Sequence, residues 1–364
     1  MNEINRCLSE IRIKIDETDR QILAALNQRA GLCREVGKLK AAGKDMVFKP
    51  SREKELLQNL VKQNPGVLPE DHLRMIYREI LSSSRRLQRP QEIVYLGPEG
   101  TFSYFAGLEY LGHSAEFRPC NDFNEVFHAV AAKEAELGII PLENSLQGSV
   151  GQSLDLFLKY TVFIHAEIFS KISHSLLSNE CALAAVRKVY SHPQALGQCA
   201  GWLRTHLPAA DLVPMESTAA AAKKVTRDPG SAAIGHMKLS EMLGLNVLSR
   251  SIEDLPDNWT RFIIIGPSMP EGEKHDKTSL VFTLPDKSGA LVGLLNLLAR
   301  EGINMKKLES RPLRSEKWQY VFFTDVECDL MLEKYAHLRK ELADNCHSMR
   351  ILGSYPSGPY LDGL

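Results

Sequence analysis

A membrane-crossing helix needs roughly 20 consecutive apolar residues. No stretch of these 364 residues supplies them; the nearest run, Ala290 to Ala299, is interrupted by Asn296. Cysteine is sparse and unpatterned, with seven residues (Cys7, Cys33, Cys120, Cys181, Cys199, Cys328, Cys346), an odd number, and none spaced as C-x-x-C. That excludes a disulfide framework and fits reduced thiols in a cytoplasmic protein. A surplus of either charge is missing too: 44 Lys and Arg against 45 Asp and Glu leave a net charge of −1. No global field draws the chain to nucleic acid, so an anionic ligand must be held by local groups. The start, Met1 to Arg6, lacks the apolar core of a secretion signal. Gly97-Pro98-Glu99-Gly100-Thr101 has neither the spacing of a dinucleotide fingerprint nor a P-loop lysine. Hydrophobic residues at 44% and charged residues at 24% are ordinary for a soluble chain, long enough for two or three domains.

What is present begins with helices. Ile11, Ile15, Ile22, Leu26, Cys33 and Val36 recur at helical spacings, predicting one long amphipathic helix from Ile11 to about Ala42, closed near Gly43. A second comes after Pro50-Ser51, runs from Arg52 to Lys62 and stops at Asn64-Pro65-Gly66. A third comes after Pro69, with Leu73, Ile76, Tyr77, Ile80, Leu81 and Leu87 on its inner face. Arg29 and Lys40, eleven residues apart, return to within about 20° of one helix face and can close on one small anion. Arg12, seventeen residues before Arg29, lies about 100° around and ~25 Å along the helix. It therefore points to a site built with a second subunit.

The pattern Ile11-Arg12, Asp16, Asp19, Leu26-Asn27-Gln28-Arg29, Glu35 to Lys40, Arg52-Glu53 and Ile76-Tyr77 through Ser84 to Gln88 resembles the all-helical chorismate mutases, which are intertwined dimers. The resemblance implies that Arg12 of the partner chain and Arg29 bind the two carboxylates of chorismate. Lys40 and Gln88 would donate to the ether oxygen, Glu53 would hold the ring hydroxyl, and Arg52 and Ser84 would complete the pocket. Lys49 departs from the pattern, standing where relatives carry an acid, which leaves the hydroxyl contact to Glu53. The chemistry fits: a pericyclic shift needs no nucleophile, acid or metal, only a folded substrate and donors to the ether oxygen as it gains charge.

Ser82 to Pro90 closes the helical part, and a boundary falls at about residue 91. Short apolar runs then alternate with helical segments. Strands are predicted at Ile93–Leu96, Leu137–Pro141, Thr161–Ile164, Lys188–Tyr190, Ala232–Ile234 and Arg261–Ile265, with helices starting near Ser103, Asn124, Val150, Gln194 and Ser217. This is an α/β domain of two lobes with a cleft. Polar clusters stand at the strand ends, and Asn258-Trp259-Thr260-Arg261-Phe262 puts a hydroxyl and a guanidinium at a strand mouth facing such a cleft.

Gly97-Pro98-Glu99-Gly100-Thr101, Pro141-x-Glu143-Asn144-Ser145, Ser191-His192-Pro193-Gln194, Glu216-Ser217-Thr218-Ala219 and Asn258-x-Thr260-Arg261-Phe262 occur in the order found in prephenate dehydratase, and the stretch is similar to that family over 92–268. The resemblance implies two α/β lobes like those of periplasmic binding proteins, with Thr260 as the essential catalytic residue. Asn144, Ser145, Ser191, Gln194, Ser217, Thr218 and Arg261 are the candidates for binding prephenate. Thr260 is too weak an acid to transfer its proton outright and is expected to act through a hydrogen bond to the departing oxygen. His192 is the rival acid.

Beyond a polar linker at Met269 to Lys274, the order is strand 278–284, helix 290–300, strands 303–309 and 318–326, helix 330–344 and strand 348–352, a ferredoxin-like α+β sandwich. Gly289-Ala290-Leu291-Val292 and Glu309-Ser310-Arg311-Pro312 resemble the paired motifs of the ACT regulatory domain, which implies phenylalanine bound between subunits as an allosteric effector. The whole reading is multidomain: an all-α mutase at 1–90, an α/β dehydratase at 92–268 and an ACT domain at 276–357. It resembles the bifunctional chorismate mutase/prephenate dehydratase family, expected as a cytoplasmic homodimer without cofactor, metal, nucleic acid or membrane. Two other classes remain in view: a two-lobed amino-acid sensor without turnover, and a dehydratase whose helical segment only dimerises the chain.

Overall fold

The computed structural model describes residues 3–43, 46–270, 275–313 and 319–362. Its first part is helical: α1 (Glu3–Gly43), α2 (Pro50–Gln63) and α3 (Glu70–Gln88). Pro50 at the first position of α2 costs no intrahelical bond, while Glu70 and Asp71 open α3 and Arg85 and Arg86 close it, matching the helix dipole at both ends. At 41 residues α1 is about 60 Å long. Its C-terminal part crosses α3 so closely that a Cβ on Gly37 would sit 2.8 Å from Gln88 Cα. Farther out, Ile4, Ile11, Ile15 and Ile22 are each more than half exposed. The inner face expected for α3 is also only partly covered: Leu73 and Leu81 are buried, whereas Ile76 and Leu87 are 49% and 42% exposed.

The helical unit is fastened to the rest of the chain. Arg85 is buried, donates to both carboxylate oxygens of Glu53 at 2.7 and 2.6 Å, and reaches the Leu111 carbonyl. Lys54 pairs with Asp276 at 2.9 Å, and Ser51 meets His275 at 2.9 Å.

The first lobe of the central region holds β1 (Glu92–Leu96), α4 (Phe102–Leu111), β2 (Glu116–Cys120), α5 (Phe123–Ala131), β3 (Leu137–Asn144), β4 (Gly148–Ser149), α6 (Gly151–Lys159) and β5 (Phe163–Lys171). The second holds β6 (Ser175–Ser178), β7 (Lys188–Ser191), α7 (Pro193–Gln198), α8 (Ala200–His206), β8 (Asp211–Pro214), α9 (Thr218–Val225), β9 (Ser231–Gly235), α10 (Leu239–Leu243) and β10 (Asn246–Ser249) in the order β10-β6-β9-β7-β8. The chain then returns to the first lobe as β11 (Trp259–Gly266), antiparallel between β5 and β3. Two lobes with a cleft are the architecture expected, and the chain crosses between them twice. The strand expected at Thr161–Ile164 starts at Phe163 and continues to Lys171, because buried His165, Glu167 and Ser170 break its apolar pattern.

The last unit is β12 (Lys277–Thr283), α11 (Ala290–Arg300), β13 (Met305–Pro312), β14 (Tyr320–Val326), α12 (Ala336–Asp344) and β15 (Ser348–Tyr355), in sheet order β13-β14-β12-β15. The βαββαβ order is as expected. The second helix starts at Ala336 rather than Leu330, since Asp329 Oδ1 accepts from the Met331 amide at 2.9 Å and a short 3-10 turn, Glu333–Tyr335, intervenes. The expected start of the third strand at Trp318 and the core of the linker, 271–274, lie outside the described residues. A final pair, β16 (Tyr360–Leu361), rejoins the first lobe parallel to β5, with Tyr360 stacked on Phe169 at 4.7 Å.

This last unit lies hard against the first lobe. A Cβ on Gly353 would collide with the Ile164 carbonyl, and one on Gly358 with that of Glu167. Backbone cannot step aside as a flexible side chain does, so Gly353→Ala is expected to lower unfolding free energy by about 1 to 3 kcal/mol in urea titrations. Unchanged stability would show the contact to be loose.

Desolvation lowers the pKa of three buried histidines, His165, His174 and His236. Burial pulls His165, whose Nε2 lies 2.8 Å from the Ser268 carbonyl, down to about 4, and His236, stacked on Phe105, down to about 3. Since both folded values lie below the unfolded value near 6.5, the unfolded chain binds protons first as pH falls, and stability drops from about pH 6.5 downward. By pH 5, above most carboxylate titration, each contributes a loss of about 2 kcal/mol. Urea unfolding free energies measured between pH 7 and 5 should fall accordingly; a flat profile would contradict neutral burial.

Candidate active sites

A cavity of about 950 Å³ lies between the two lobes. The strand ends and helix starts that carry the sequence motifs build it. Of the residues expected there, Asn144, Gln194, Ser217, Thr218 and Thr260 line it, as does His192. Among the described lining residues there is no Lys or Arg. Instead the first residues of α4, α5, α6, α7 and α9 all reach the wall, through Phe102, Phe123, Gln152, Gln194 and Thr218. Helix starts favour anions, and they offset the carboxylates of Asp122 and Glu216 in the same wall. Thr101, Asp122, His192 and Ser217 each cap one N–H of α4, α5, α7 and α9, leaving the other first-turn N–H groups for a ligand.

At its floor, Asn144 and Thr260 sit opposite each other on β3 and β11. The Asn144 amide has a fixed orientation: its Oδ1 accepts from the Leu146 and Gln147 amides at 3.1 Å each. Its Nδ2 therefore faces β11, donating to Asn258 Oδ1 at 2.6 Å and Thr260 Oγ1 at 3.0 Å. A hydroxyl that accepts from an amide keeps its own O–H to give away. Thr260 is 8% exposed, so that donor works in a poorly solvated place.

Three expected contacts lie elsewhere. Ser145 braces the β11 approach, accepting from the Trp259 amide at 2.9 Å and donating to the Asp257 carbonyl at 3.3 Å. Ser191 is fully buried and donates to the Ile234 carbonyl at 2.7 Å, tying β7 to β9. Arg261 points away from the cavity, because side chains alternate along a strand and Thr260 and Phe262 take the cavity side. Its guanidinium is buried against Glu167 at 2.7 Å and Tyr355 at 3.0 Å, and it pairs with Asp325. Burial alone would pull Arg261 down, yet Asp325, Tyr355 and Glu167 outweigh it and hold it firmly protonated.

The sequence motifs also missed several wall residues. His174 lies at the wall with Phe102 edge-on to it at 5.5 Å and Gln198 at 2.8 Å from its Nε2, and Gln194 of the wall donates across the lobes to Gln147, outside the lining, at 2.5 Å. Burial lowers the pKa of His174 and raises Cys120, another wall residue, to about 11. Neither belonged to a motif that spacing could flag.

In the helical unit the structure brings together Arg29, which donates to Ser84, and Gln88, whose Nε2 donates to the Ser84 carbonyl at 3.3 Å and whose Oε1 is buried without a partner. Lys40, on the same helix as Arg29, reaches the carbonyls of Met46 and Val47 at 3.3 and 3.4 Å. Glu53 is held by Arg85, a partner that sequence reasoning missed. Lys49 is half-buried at the N-cap of α2, and Arg52 is exposed and pairs with Glu55 at 3.2 Å. Arg12 stands on the exposed half of α1, away from these residues.

In the last unit Gly289 takes a left-handed conformation at the start of α11, and Ala290, Leu291 and Val292 form its first turn. Glu309 and Arg311 lie on β13 and face the first lobe, toward Ser149 and Asp155, with Ser310 and Pro312 outward. Among the described residues no hydrogen bond or ion pair joins the two motifs within one chain.

Family models match in three places: chorismate mutase type II over 11–89, prephenate dehydratase over 93–270 and ACT domain over 278–334. The bifunctional chorismate mutase/prephenate dehydratase of Aquifex aeolicus is 38% identical, over 96% of this chain and 98% of its own. Among solved structures, a prephenate dehydratase from Arthrobacter aurescens in complex with L-Phe is 34% identical with a TM-score of 0.67, covering 73% of this chain and 90% of its own. A chain described as a novel type of quorum quenching acylase, GqqA, is 32% identical with a TM-score of 0.66, covering 74% and 98%. With a helical mutase unit, a two-lobed dehydratase unit and an ACT unit matched in order, the chain belongs to the bifunctional chorismate mutase/prephenate dehydratase family.

Proposed function

We propose that the two reactions divide between 1–90 and 92–268, with 276–357 as the effector-binding unit. Chorismate is rearranged to prephenate in the helical unit, with Arg29 on a carboxylate, Lys40 and Gln88 on the ether oxygen, Glu53 on the ring hydroxyl, and Ser84, Arg52 and Lys49 around them. The Arg85 guanidinium supports that role for Glu53 by fixing the direction of its carboxylate. Arg12 serves the site of a second copy. The uncovered apolar stripe of α1, on the same half of the helix as Arg12, supports a homodimer.

Prephenate is then aromatised in the cleft. Its ring carboxylate leaves as carbon dioxide, the released electron pair moves through the ring, and the hydroxyl departs as hydroxide, which takes a proton from solvent to become water. Thr260 donates to that oxygen as it gains charge, and Asn144 sets the direction of the donor. The Asn144–Thr260 hydrogen bond is the observation that carries this reading. The substrate carboxylates rest on hydroxyls, amides and helix starts, Ser217 and Thr218 of α9 and Gln194 of α7 among them. Acyl transfer is the weaker reading for this cleft. Thr260 is bonded to an amide rather than a base, and Cys120, pushed up to about 11, is no thiolate nucleophile.

The ACT unit binds phenylalanine with 289–292 of one chain and 309–312 of another, which lowers flux through the dehydratase; the reading draws on the relative solved with L-Phe. No described helix is long and apolar enough to cross a membrane, and a cytoplasmic setting suits the seven free cysteines.

A coupled assay from chorismate to phenylpyruvate, with and without phenylalanine, tests the division. Thr260→Ala should cut dehydratase kcat by about 100-fold or more while the mutase stays near normal, and Arg29→Ala should do the reverse. Full dehydratase activity in Thr260→Ala, with loss in His192→Ala, would transfer the role to His192.

A further inference from the structure

The reverse face of the catalytic strand pair is as organised as the front. In the β3–β11 register Thr260 faces Asn144, and the next pair, Arg261 and Glu143, projects to the other side. That side is covered by the ACT sheet, and all four of its strands contribute: Lys277 and Ser279 from β12, Lys307 and Glu309 from β13, Asp325 from β14 and Tyr355 from β15. Arg261 gives Nη1 to Asp325, Nη2 to Tyr355 at 3.0 Å and Nε to Glu167 at 2.7 Å. Lys277 reaches Glu167 at 2.8 Å, and Lys307 reaches Glu143 at 2.9 Å. In the buried core two cations, Arg261 and Lys277, balance two carboxylates, Glu167 and Asp325, while Lys307 at the edge is shared between Glu143 and, at 3.4 Å, Glu309. Arg261 and Asp325 are 5% and 4% exposed. A buried, balanced and hydrogen-bonded set of this kind has few alternative arrangements.

We infer that Arg261 is a positioning residue: through Asp325, with Lys307 on Glu143 as a second arm, the ACT unit fixes the strand pair from behind and thereby the direction of the Thr260 hydroxyl. The inference rests on the proposed role of Thr260. The ladder supports it further, since the register shifts immediately after Arg261, where Phe262 pairs with Pro141. A bulge is a place where a small displacement re-aims neighbouring side chains. Asn144 and Glu143 are adjacent, as are Thr260 and Arg261, so both partners of the catalytic hydrogen bond are gripped one residue away.

A residue that only positions a transition-state donor changes kcat, whereas a residue that grips substrate in both states changes KM. The full chain with Asp325→Asn keeps side-chain shape but loses the charge on Arg261. Dehydratase kcat should fall at least about tenfold, with KM for prephenate within about twofold and mutase activity on the same sample within about twofold. Lys307→Gln, at the half-exposed end of the seam, should show the same pattern at about threefold in kcat. An unchanged kcat in a chain with normal mutase activity overturns the inference, as does a raised KM at constant kcat, which would return Arg261 to the substrate. Should Asp325→Asn abolish the mutase as well, Lys307→Gln decides by the same two readings. Thr260→Ala in the same series keeps the failures apart, because full activity there removes the Thr260 role whatever the seam variants do.

Discussion

The antiparallel pairing of β3 with β11 is the constraint on which the rest of the dehydratase depends. A strand shows alternate residues to opposite faces, so one pairing sets two surfaces at once. On the front, Asn144 directs the Thr260 hydroxyl into the cavity; on the back, Glu143 and Arg261 meet the ACT sheet. A one-residue slip would exchange the faces, placing a guanidinium in the cleft and a hydroxyl against buried carboxylates. The charged cluster behind the strands makes that slip expensive, since breaking a buried pair leaves an uncompensated charge worth about 3 to 5 kcal/mol.

Under the proposed roles, two small dianionic substrates are met by different physics. The helical unit sets the cations Arg29 and Lys40 on one helix and brings the donor Gln88 up on another. The cleft turns five helix starts inward and sends its one motif arginine to the other side of the sheet. The difference arises from the reactions. Rearrangement of chorismate needs charge opposite a developing ether anion while the substrate is held folded. Aromatisation releases carbon dioxide, and a carboxylate locked to a guanidinium would be stabilised in the ground state and held back from leaving. Helix starts and hydroxyls hold such a group more gently.

Most of this architecture was legible in the chain. The helical periods of 11–42, the strand 137–141, the motif 258–262 and the βαββαβ order of the last unit all correspond to elements found. Strands β2, β8 and β10 were hidden because they are sheet edges with mixed exposure, and β6 because four buried residues carry no periodicity. Arg261 was misplaced for a local reason: a five-residue motif gives neighbours the same address, although a strand sends them opposite ways. Ser145 and Ser191 stand in motifs but serve turns and strand pairing, which sequence alone does not separate from ligand contact. Arg85 escaped notice because its partners, Glu53 and the Leu111 carbonyl, are brought to it only by the docking of one unit on another.

The claim at the centre is that the front of the β3–β11 pair carries the chemistry while Arg261 stays behind it. A crystal structure of the full chain with a prephenate analogue in the cleft tests this directly. The account predicts Thr260 Oγ1 within hydrogen-bonding distance of the oxygen corresponding to the departing hydroxyl, with Arg261 still on Asp325 and Glu167. An analogue carboxylate bound to Arg261, with the Asp325 pair broken, would contradict it.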